Sequence, residues 1–278
     1  MQVDSTTTAF SWGNQEEAKT GLALKSELDP AFIEWVDGVA ALKQEGWVSL
    51  LSGNDDDAAV AYMLAHENEI DYVAFSENGN SLAVAHLLAN PDSIYWPSFS
   101  KNSNKLAVEF LFQPENAVHV DWKNVCANVN AEALQQLHDH PARIHWKTLS
   151  SNPSPMAVVL LLESVDKIEW AEFARNESDA AVKYLLAHTD RIIGSFFSCN
   201  ANTLAVEWLL SHENNIHWIY LSRNSHPKAT ALLLENKEKI DSWCASENKS
   251  KDVAAFLHAN PSRIVWWLYL RNHAAIPV

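Results

Sequence analysis

Asparagine recurs in this sequence at a nearly constant interval. The step between successive members of the column is 24 residues everywhere except once, where it is 26. A fixed period of this length is typical of repeat proteins, in which each unit buries its apolar face against its neighbours. The chain is therefore expected to fold as a stack of similar units. The column consists of Asn54, Asn78, Asn102, Asn128, Asn152, Asn176, Asn200, Asn224, Asn248 and Asn272.

The residues that follow each asparagine predict a helix. Counting the asparagine as position 0, position +5 is mostly Ala, +6 is mostly Val, and +9 and +10 are mostly Leu. These positions fall on one face of an α-helix. Position +2 is usually Asn, Asp or Ser, the types that cap a helix start, and the helix is predicted from +3 to +11. In one unit Ser154 would be the cap and Pro155 the first helical residue, with Ala157, Val158, Leu161 and Leu162 as the core stripe. Position +12 is usually His or Asn, types that tolerate left-handed φ and could end the helix there.

A second apolar pattern follows in each unit. Ile recurs at +16 and an apolar residue at +21, with Asp71, Asp121 and Asp241 placed as caps at +17. This pattern predicts a second helix of about two turns, which must be held by packing. A tryptophan column at +18 accompanies it, comprising Trp96, Trp122, Trp146, Trp170, Trp218 and Trp266.

These elements together predict an all-α fold, an αα-solenoid of about nine two-helix repeats over residues 47–272. Residues 14–46 are predicted to form an N-terminal helical cap. Residues 1–13 are expected to be a disordered tail, and residues 273–278 a short C-terminal tail. The 26-residue step is expected to be a two-residue loop insertion within residues 112–121.

The repeat resembles a 24-residue Asn- and Trp-containing helical repeat of large DNA virus and microbial proteins. It is clearest at residues 149–170, "LSSNPSPMAVVLLLESVDKIEW", and at residues 221–243. The resemblance implies a helical repeat and no particular activity. The chain departs from the pattern where Tyr72, Gly194 and Ser242 stand in place of Trp.

The two columns invite a functional interpretation and a structural one. The asparagines could present polar groups to a ligand, and the tryptophans could form an exposed stripe for peptides or sugars. Invariance along the chain favours structural roles instead, with Asn bonding a neighbouring backbone and Trp filling space between units. Trp208 and Trp243 lie off the column and are better candidates for exposed aromatic contacts.

No residue pattern points to catalysis. Four of the twelve histidines, His66, His140, His188 and His212, recur at the helix-ending position, and the cluster "HDH" at 138–140 is too small for a stable zinc site. The three cysteines form no paired spacing, and Cys126 occupies a position that is often Ser. Asp55, Asp56 and Asp57 begin a helix, where negative charge opposes the helix dipole, and they lack the spacing of a calcium loop. We therefore expect a non-enzymatic protein with no metal and no cofactor.

The charge distribution bears on partners. Residues 1–122 contain 19 acidic and 5 basic residues, whereas residues 123–278 contain 16 and 15. An acidic surface disfavours direct binding to nucleic acid and to anionic membranes. It favours a scaffold that engages a basic protein partner. The predicted contact residues are Asp55, Asp56, Asp57, Glu67, Glu69, Asp71, Glu77, Trp208 and Trp243.

An alternative remains open at this stage. An acidic protein, for example a viral product, could mimic nucleic acid and inhibit a host nuclease or defence protein. The absence of a secretory signal and of a membrane-length apolar run leads us to expect a cytoplasmic protein.

Overall fold

The computed structural model describes residues 47–265 together with Leu268 and Tyr269. These residues are predominantly helical, with no β-strand among them. They divide into two compact units, unit 1 up to Pro91 and unit 2 from Asp92 onward. The predicted tails at 1–13 and 273–278, the predicted cap at 14–46, and Trp266 and Asn272 lie outside the described residues.

Both units alternate short and long helices. Unit 1 contains α1 Trp47–Ser52, α2 Asp57–Ala65, α3 Tyr72–Phe75 and α4 Ser81–Ala89. In unit 2 the short helices are α5 Trp96–Phe99, α7 Trp122–Val125, α9 Trp146–Ser150, α11 Trp170–Phe173, α13 Gly194–Ser198, α15 Trp218–Leu221 and α17 Ser242–Ser246. The long helices there are α6 Lys105–Leu111, α8 Ala131–Asp139, α10 Pro155–Glu163, α12 Asp179–Ala187, α14 Thr203–Ser211, α16 Pro227–Glu235 and α18 Lys251–Ala259.

The long helices begin where the sequence predicted. With the exception of α6, each runs from +3 to +11 of its asparagine. Their caps use the expected side chains: the carboxylate of Asp56 accepts from the N–H of Ala58 at 2.9 Å, and Asn80 accepts from Leu82 at 2.8 Å. Ser154 is an exception, because its side chain makes no capping hydrogen bond. There Pro155 occupies the first helical position, where its fixed φ suits a helix start.

The ends of the long helices correct the sequence prediction. Position +12 does not adopt left-handed φ: His66 has φ −129° and ψ 51°, and Asn260 has φ −134° and ψ 65°. The side chain ends the helix instead, since Nδ1 of His66 lies 2.9 Å from the carbonyl oxygen of Tyr62, four residues earlier. Nδ2 of Asn260 likewise donates to the carbonyl of Phe256 at 2.8 Å. His and Asn share this position because both carry a side-chain N–H at the right reach.

The predicted two-turn second helix is a different structure. After each long helix comes first a 3₁₀ turn and then an α-helix of about one turn, as in Glu67–Glu69 followed by α3. Between them the +16 isoleucine is extended, as at Ile70 with φ −61° and ψ 123°, so that its side chain is buried and the helix is interrupted. The 3₁₀ turns are Glu67–Glu69, Pro91–Ser93, Pro114–His119, Pro141–Arg143, Val165–Lys167, Thr189–Arg191, Glu213–Asn215, Lys237–Lys239 and Pro261–Arg263. The caps predicted at Asp71, Asp121 and Asp241 are present.

The two-residue insertion is absorbed by one of these turns. Helix α6 ends early at Leu111, and the following 3₁₀ turn extends to six residues, Pro114–His119. Within it the buried Asn116 donates through Nδ2 to the carbonyl of Phe110 at 2.8 Å. Phe110 is at +8, and in other repeats the carbonyl at +8 is the group that the side chain at +12 contacts. The insertion therefore lengthens the turn while the helix-ending hydrogen bond is kept.

Adjacent elements pack in a regular way within each unit. In unit 2, long helices contact the next long helix, as α8 does α10, and short helices contact the next short helix, as α9 does α11. Alanine at +5 and leucine at +9 are buried throughout the described residues, and phenylalanine is buried at +21 wherever it occurs. The predicted core stripe is narrower than expected, because Leu162 at +10 is 37% exposed.

A serine at +22 joins neighbouring short helices. The hydroxyl of Ser150 donates to the carbonyl of Trp146 at 2.8 Å and accepts from the N–H of Glu169, in the next repeat, at 3.0 Å. Cys126 takes the same place, and its Sγ accepts from the N–H of His145 at 3.2 Å. The cysteine is therefore a structural substitute for serine here.

Thr230 gives a test of the packing at +6. Its hydroxyl is buried and makes no hydrogen bond among the described residues, at a position that is usually valine. We expect Thr230→Val to raise the free energy of unfolding by about 1 kcal/mol, because a buried hydroxyl without a partner is costly. The reciprocal change, Val206→Thr, should lower it by a similar amount. Denaturant titration of both variants checks the pair, and a destabilised Thr230→Val protein would contradict the assignment.

Candidate protein-interaction surfaces

The asparagine side chains are used within the fold. Nδ2 of Asn152 donates to the carbonyls of Cys126 at 2.9 Å and Asn128 at 2.7 Å, while its Oδ1 accepts from the N–H of Ser154 at 2.9 Å. Asn78 makes the same three bonds in unit 1. We call this arrangement the asparagine ladder. Both amide hydrogens bond carbonyls of the preceding repeat, and from Asn78 to Asn248 the side chains are buried, so the ladder offers little to a ligand.

The tryptophan column is half-buried and covered by neighbouring cations or rings. The guanidinium of Arg191 lies 5.0 Å from the ring centroid of Trp170, and Nζ of Lys239 lies 4.0 Å from that of Trp218. His119 stacks on Trp96 at 4.4 Å. Trp122 and Trp146 are half-buried as well. Trp96, Trp122, Trp170 and Trp218 thus form ring–cation or ring–ring contacts rather than an open aromatic stripe.

The two off-column tryptophans differ from one another. Trp208 is half-buried, with its ring edge-on to Phe197 at 5.6 Å and stacked on His212 at 4.4 Å. Trp243 is 51% exposed. Of this pair, Trp243 presents more aromatic surface to solvent.

The three aspartates at the start of α2, Asp55, Asp56 and Asp57, are exposed, yet two of them make structural hydrogen bonds. Asp56 caps the helix, and Oδ1 of Asp57 accepts from Nδ2 of Asn80 at 2.6 Å. The side chain of Asp55 makes no such contact with the described residues, although its carbonyl accepts from Nδ2 of Asn80 at 3.0 Å. Asp55 is therefore the member of this group whose charge is most available to a partner.

The remaining acidic candidates of unit 1 lie on and beside the first 3₁₀ turn. Glu67 and Glu69 are exposed on that turn, and Glu77 is exposed in the loop after α3. Asp71 is partly buried and caps α3 by accepting from the N–H of Val73 at 3.0 Å. Burial lowers the pKa of His86, against the opposing effect of Glu67 4.0 Å away, so near neutral pH that histidine does not neutralise the glutamate.

A charged cleft in unit 2 was not singled out by sequence reasoning. It has a volume of about 610 Å³ and lies over the loops that carry Asn152 to Asn248. Most of its lining residues directly precede or follow a ladder asparagine. The charged ones are Glu172, Arg175, Glu177, Arg223, Glu247 and Lys249. The signal that could have found it is the variability of these flanking positions beside an invariant asparagine.

Cys199 lies in this cleft between two guanidinium groups. Burial raises the pKa of its thiol, and the opposing effects of Arg175 and Arg223 are smaller. Its Sγ donates to the carbonyl of Phe196 at 3.1 Å. Burial also raises the pKa of Cys126 and of Cys244 to about 11. All three thiols are thus protonated near neutral pH, which does not favour nucleophilic chemistry.

No group of three or more His, Cys, Asp or Glu side chains within the described residues is arranged to hold a metal ion. None of the helices in this part of the chain is long and apolar enough to span a bilayer.

Comparison with models of known protein families, with curated proteins and with solved structures finds no match for this chain.

Proposed function

We propose that the chain is an αα-solenoid of about nine 24-residue repeats, of the class it resembles in sequence, and that it serves as a non-enzymatic protein-binding scaffold. Its acidic N-terminal half would engage a basic protein partner. The repeated helix, 3₁₀ turn and short helix support the architecture, since such units expose long surfaces suited to binding.

One observation carries the binding proposal. Residues 47–91, the described part of unit 1, contain seven acidic residues and no Lys or Arg. Asp55, Glu67 and Glu69 among them are exposed. Negatively charged carboxylates without interspersed cations attract a basic protein over a distance of about 10 Å at moderate salt. The surface should therefore act mainly on the rate of association.

Charge reversal tests the proposal. Partners are captured from extracts of the source cells, identified, purified and titrated against the chain. For a partner bound by this surface, Glu67→Lys/Glu69→Lys should weaken binding by about tenfold, or about 1.4 kcal/mol. Both side chains are exposed on a 3₁₀ turn and neither caps a helix, so the fold should be retained.

A matched variant controls for net charge. Glu213→Lys/Glu238→Lys makes the same total change at two exposed residues on 3₁₀ turns of unit 2. We expect it to leave binding within about twofold. Equal affinities for both double variants would contradict a role for the acidic surface. Competition by DNA for the same partner would favour the nucleic-acid mimic over the general scaffold.

A further inference from the structure

The unit 2 cleft is lined mostly by residues directly before or after the ladder asparagines, and these flanking residues differ from repeat to repeat. The ladder bonds fix the backbone at each asparagine, since Asn176, Asn200 and Asn224 each donate to the carbonyl of the preceding ladder asparagine at 2.7 to 2.9 Å. Side chains next to the asparagines therefore project in a similar way from repeat to repeat. The residue directly before the asparagine changes from Ser to Arg, Cys, Arg and Glu along the cleft. Stacking does not fix the residue type at this position, so its side chains are available to contact a ligand.

Each carboxylate of the cleft lies near a cation or an N–H group. Glu172 lies 3.7 Å from Nη1 of Arg175 and 3.8 Å from Nζ of Lys147. Glu247 pairs with Arg223, although its buried Oε2 makes no hydrogen bond among the described residues. Glu177 accepts from the N–H of Ala201 at 3.3 Å.

The guanidinium groups, by contrast, keep unused donors. Arginine has five N–H donors, and Nε of Arg223 is buried without a hydrogen-bond partner among the described residues. Arg175 makes one long ion pair, and its guanidinium lies near the thiol of Cys199 and 5.7 Å from the ring centroid of Phe196. A buried donor without a partner is costly, and an incoming acceptor would relieve that cost. Arg175 and Arg223 therefore keep N–H donors that an incoming acceptor can use.

We propose that this cleft binds an extended peptide segment of a protein partner through an Asp or Glu side chain seated between Arg175 and Arg223. The planar guanidinium fork matches a carboxylate in two parallel hydrogen bonds. The three cations and three carboxylates of the lining cancel, which suits a singly charged group and disfavours a polyanion. A volume of about 610 Å³ that extends from Ser151 to Glu247 accommodates several residues of an extended chain.

This cleft shares no residue with the acidic surface of unit 1, so the two proposals can fail independently. A random twelve-residue peptide library is selected against the full chain, and a selected peptide is then titrated by fluorescence anisotropy. The peptides should share an Asp or Glu at one position. Replacing that residue by Asn or Gln should weaken binding by about tenfold. The same loss is expected for Arg175→Gln/Arg223→Gln and not for Arg143→Gln/Arg191→Gln, which removes two exposed cations that cover tryptophans.

Folding of the variants is checked separately. Arg223→Gln leaves Glu247 without its partner, so thermal unfolding is recorded for each protein. Arg175→Gln alone gives a milder test, because Glu172 retains Lys147. Failure to select any peptide, selected peptides without a shared acidic position, or unchanged binding by a folded Arg175→Gln protein would overturn the proposal. Binding that strengthens by tenfold or more when phosphoserine replaces the acid would overturn the assignment of a carboxylate.

Discussion

Asn128→Asp should lower the free energy of unfolding by about 3–5 kcal/mol. The wild-type Nδ2 donates to the carbonyls of Ser100 at 3.1 Å and Asn102 at 2.9 Å, in a fully buried site. A carboxylate has the same shape but donates nothing, so it would face two carbonyl oxygens as an unpaired buried charge. The measurement is denaturant unfolding followed by both circular dichroism and tryptophan fluorescence, because a repeat array need not unfold in one step.

The pH dependence separates this effect from simple misfolding. Burial and the facing carbonyls would raise the pKa of the introduced carboxyl in the folded state above its unfolded value. The stability difference from wild type should then shrink as the pH falls and the group takes up its proton. Asn214→Asp, at an exposed position on a 3₁₀ turn, makes the same chemical change and should cost less than about 0.5 kcal/mol. Equal losses in both variants, or no loss at Asn128, would contradict the structural role given to the ladder.

Phe173→Ala should have the second large effect, a loss of about 3–5 kcal/mol. The ring is fully buried and meets Trp170 at 5.9 Å and Tyr184 at 6.1 Å, edge-on in both cases. Truncation to Ala would leave a cavity that these rings cannot fill. The change in the denaturation midpoint measures the loss.

Phe173→Leu is the matched comparison. Leu149 and Leu221 occupy the same position in other repeats and are buried there. We therefore expect Leu to cost less than about 1.5 kcal/mol, since it keeps much of the volume. A loss as large as that of the Ala variant would show that the ring contacts, rather than filled space, dominate at this site.

The long helices were predictable because their signals are local. The cap at +2, proline at +3 and the apolar stripe are all read from neighbouring residues, and α10 begins and ends where these signals place it. Serine at +22 could be recognised as a conserved small position, but its bond to the next repeat depends on tertiary packing. The equivalence of Cys126 and serine followed directly from alignment of the repeats.

The errors arose where two conformations satisfy the same residue types. Histidine and asparagine can end a helix by adopting left-handed φ or by donating to a carbonyl, and His188 uses the second route at negative φ. The isoleucine at +16 suits a helix or an extended residue, and only the need to bury Ile168 against the stack decides between them. Neither choice is visible from periodicity alone.

The candidate surfaces were likewise predictable only in part. The acidity of residues 47–91 is a property of composition, so it could be read directly from the sequence. The sequence did not show that Asp56 caps a helix and that Asp57 bonds Asn80, and so did not distinguish these two residues from Asp55, whose charge is more available. The unit 2 cleft was missed because it joins residues 24 apart that share no motif. Its definition required the ladder to bring Arg175, Cys199 and Arg223 side by side.

The ladder also has a direction that bears on biosynthesis. Nδ2 of a ladder asparagine donates to carbonyls 24 and 26 residues earlier, as Asn248 does to Asn224 and Ser222, or 26 and 28 residues earlier at Asn128, where the insertion intervenes. The N–H at +17 likewise donates to a serine 19 residues before it, as Asp241 does to Ser222. Every such acceptor has left the ribosome before its donor. These contacts join residues only about one repeat apart in sequence. We therefore expect each newly emerged repeat to pack against the repeat synthesised before it, so that the protein folds during translation from the N-terminus onward.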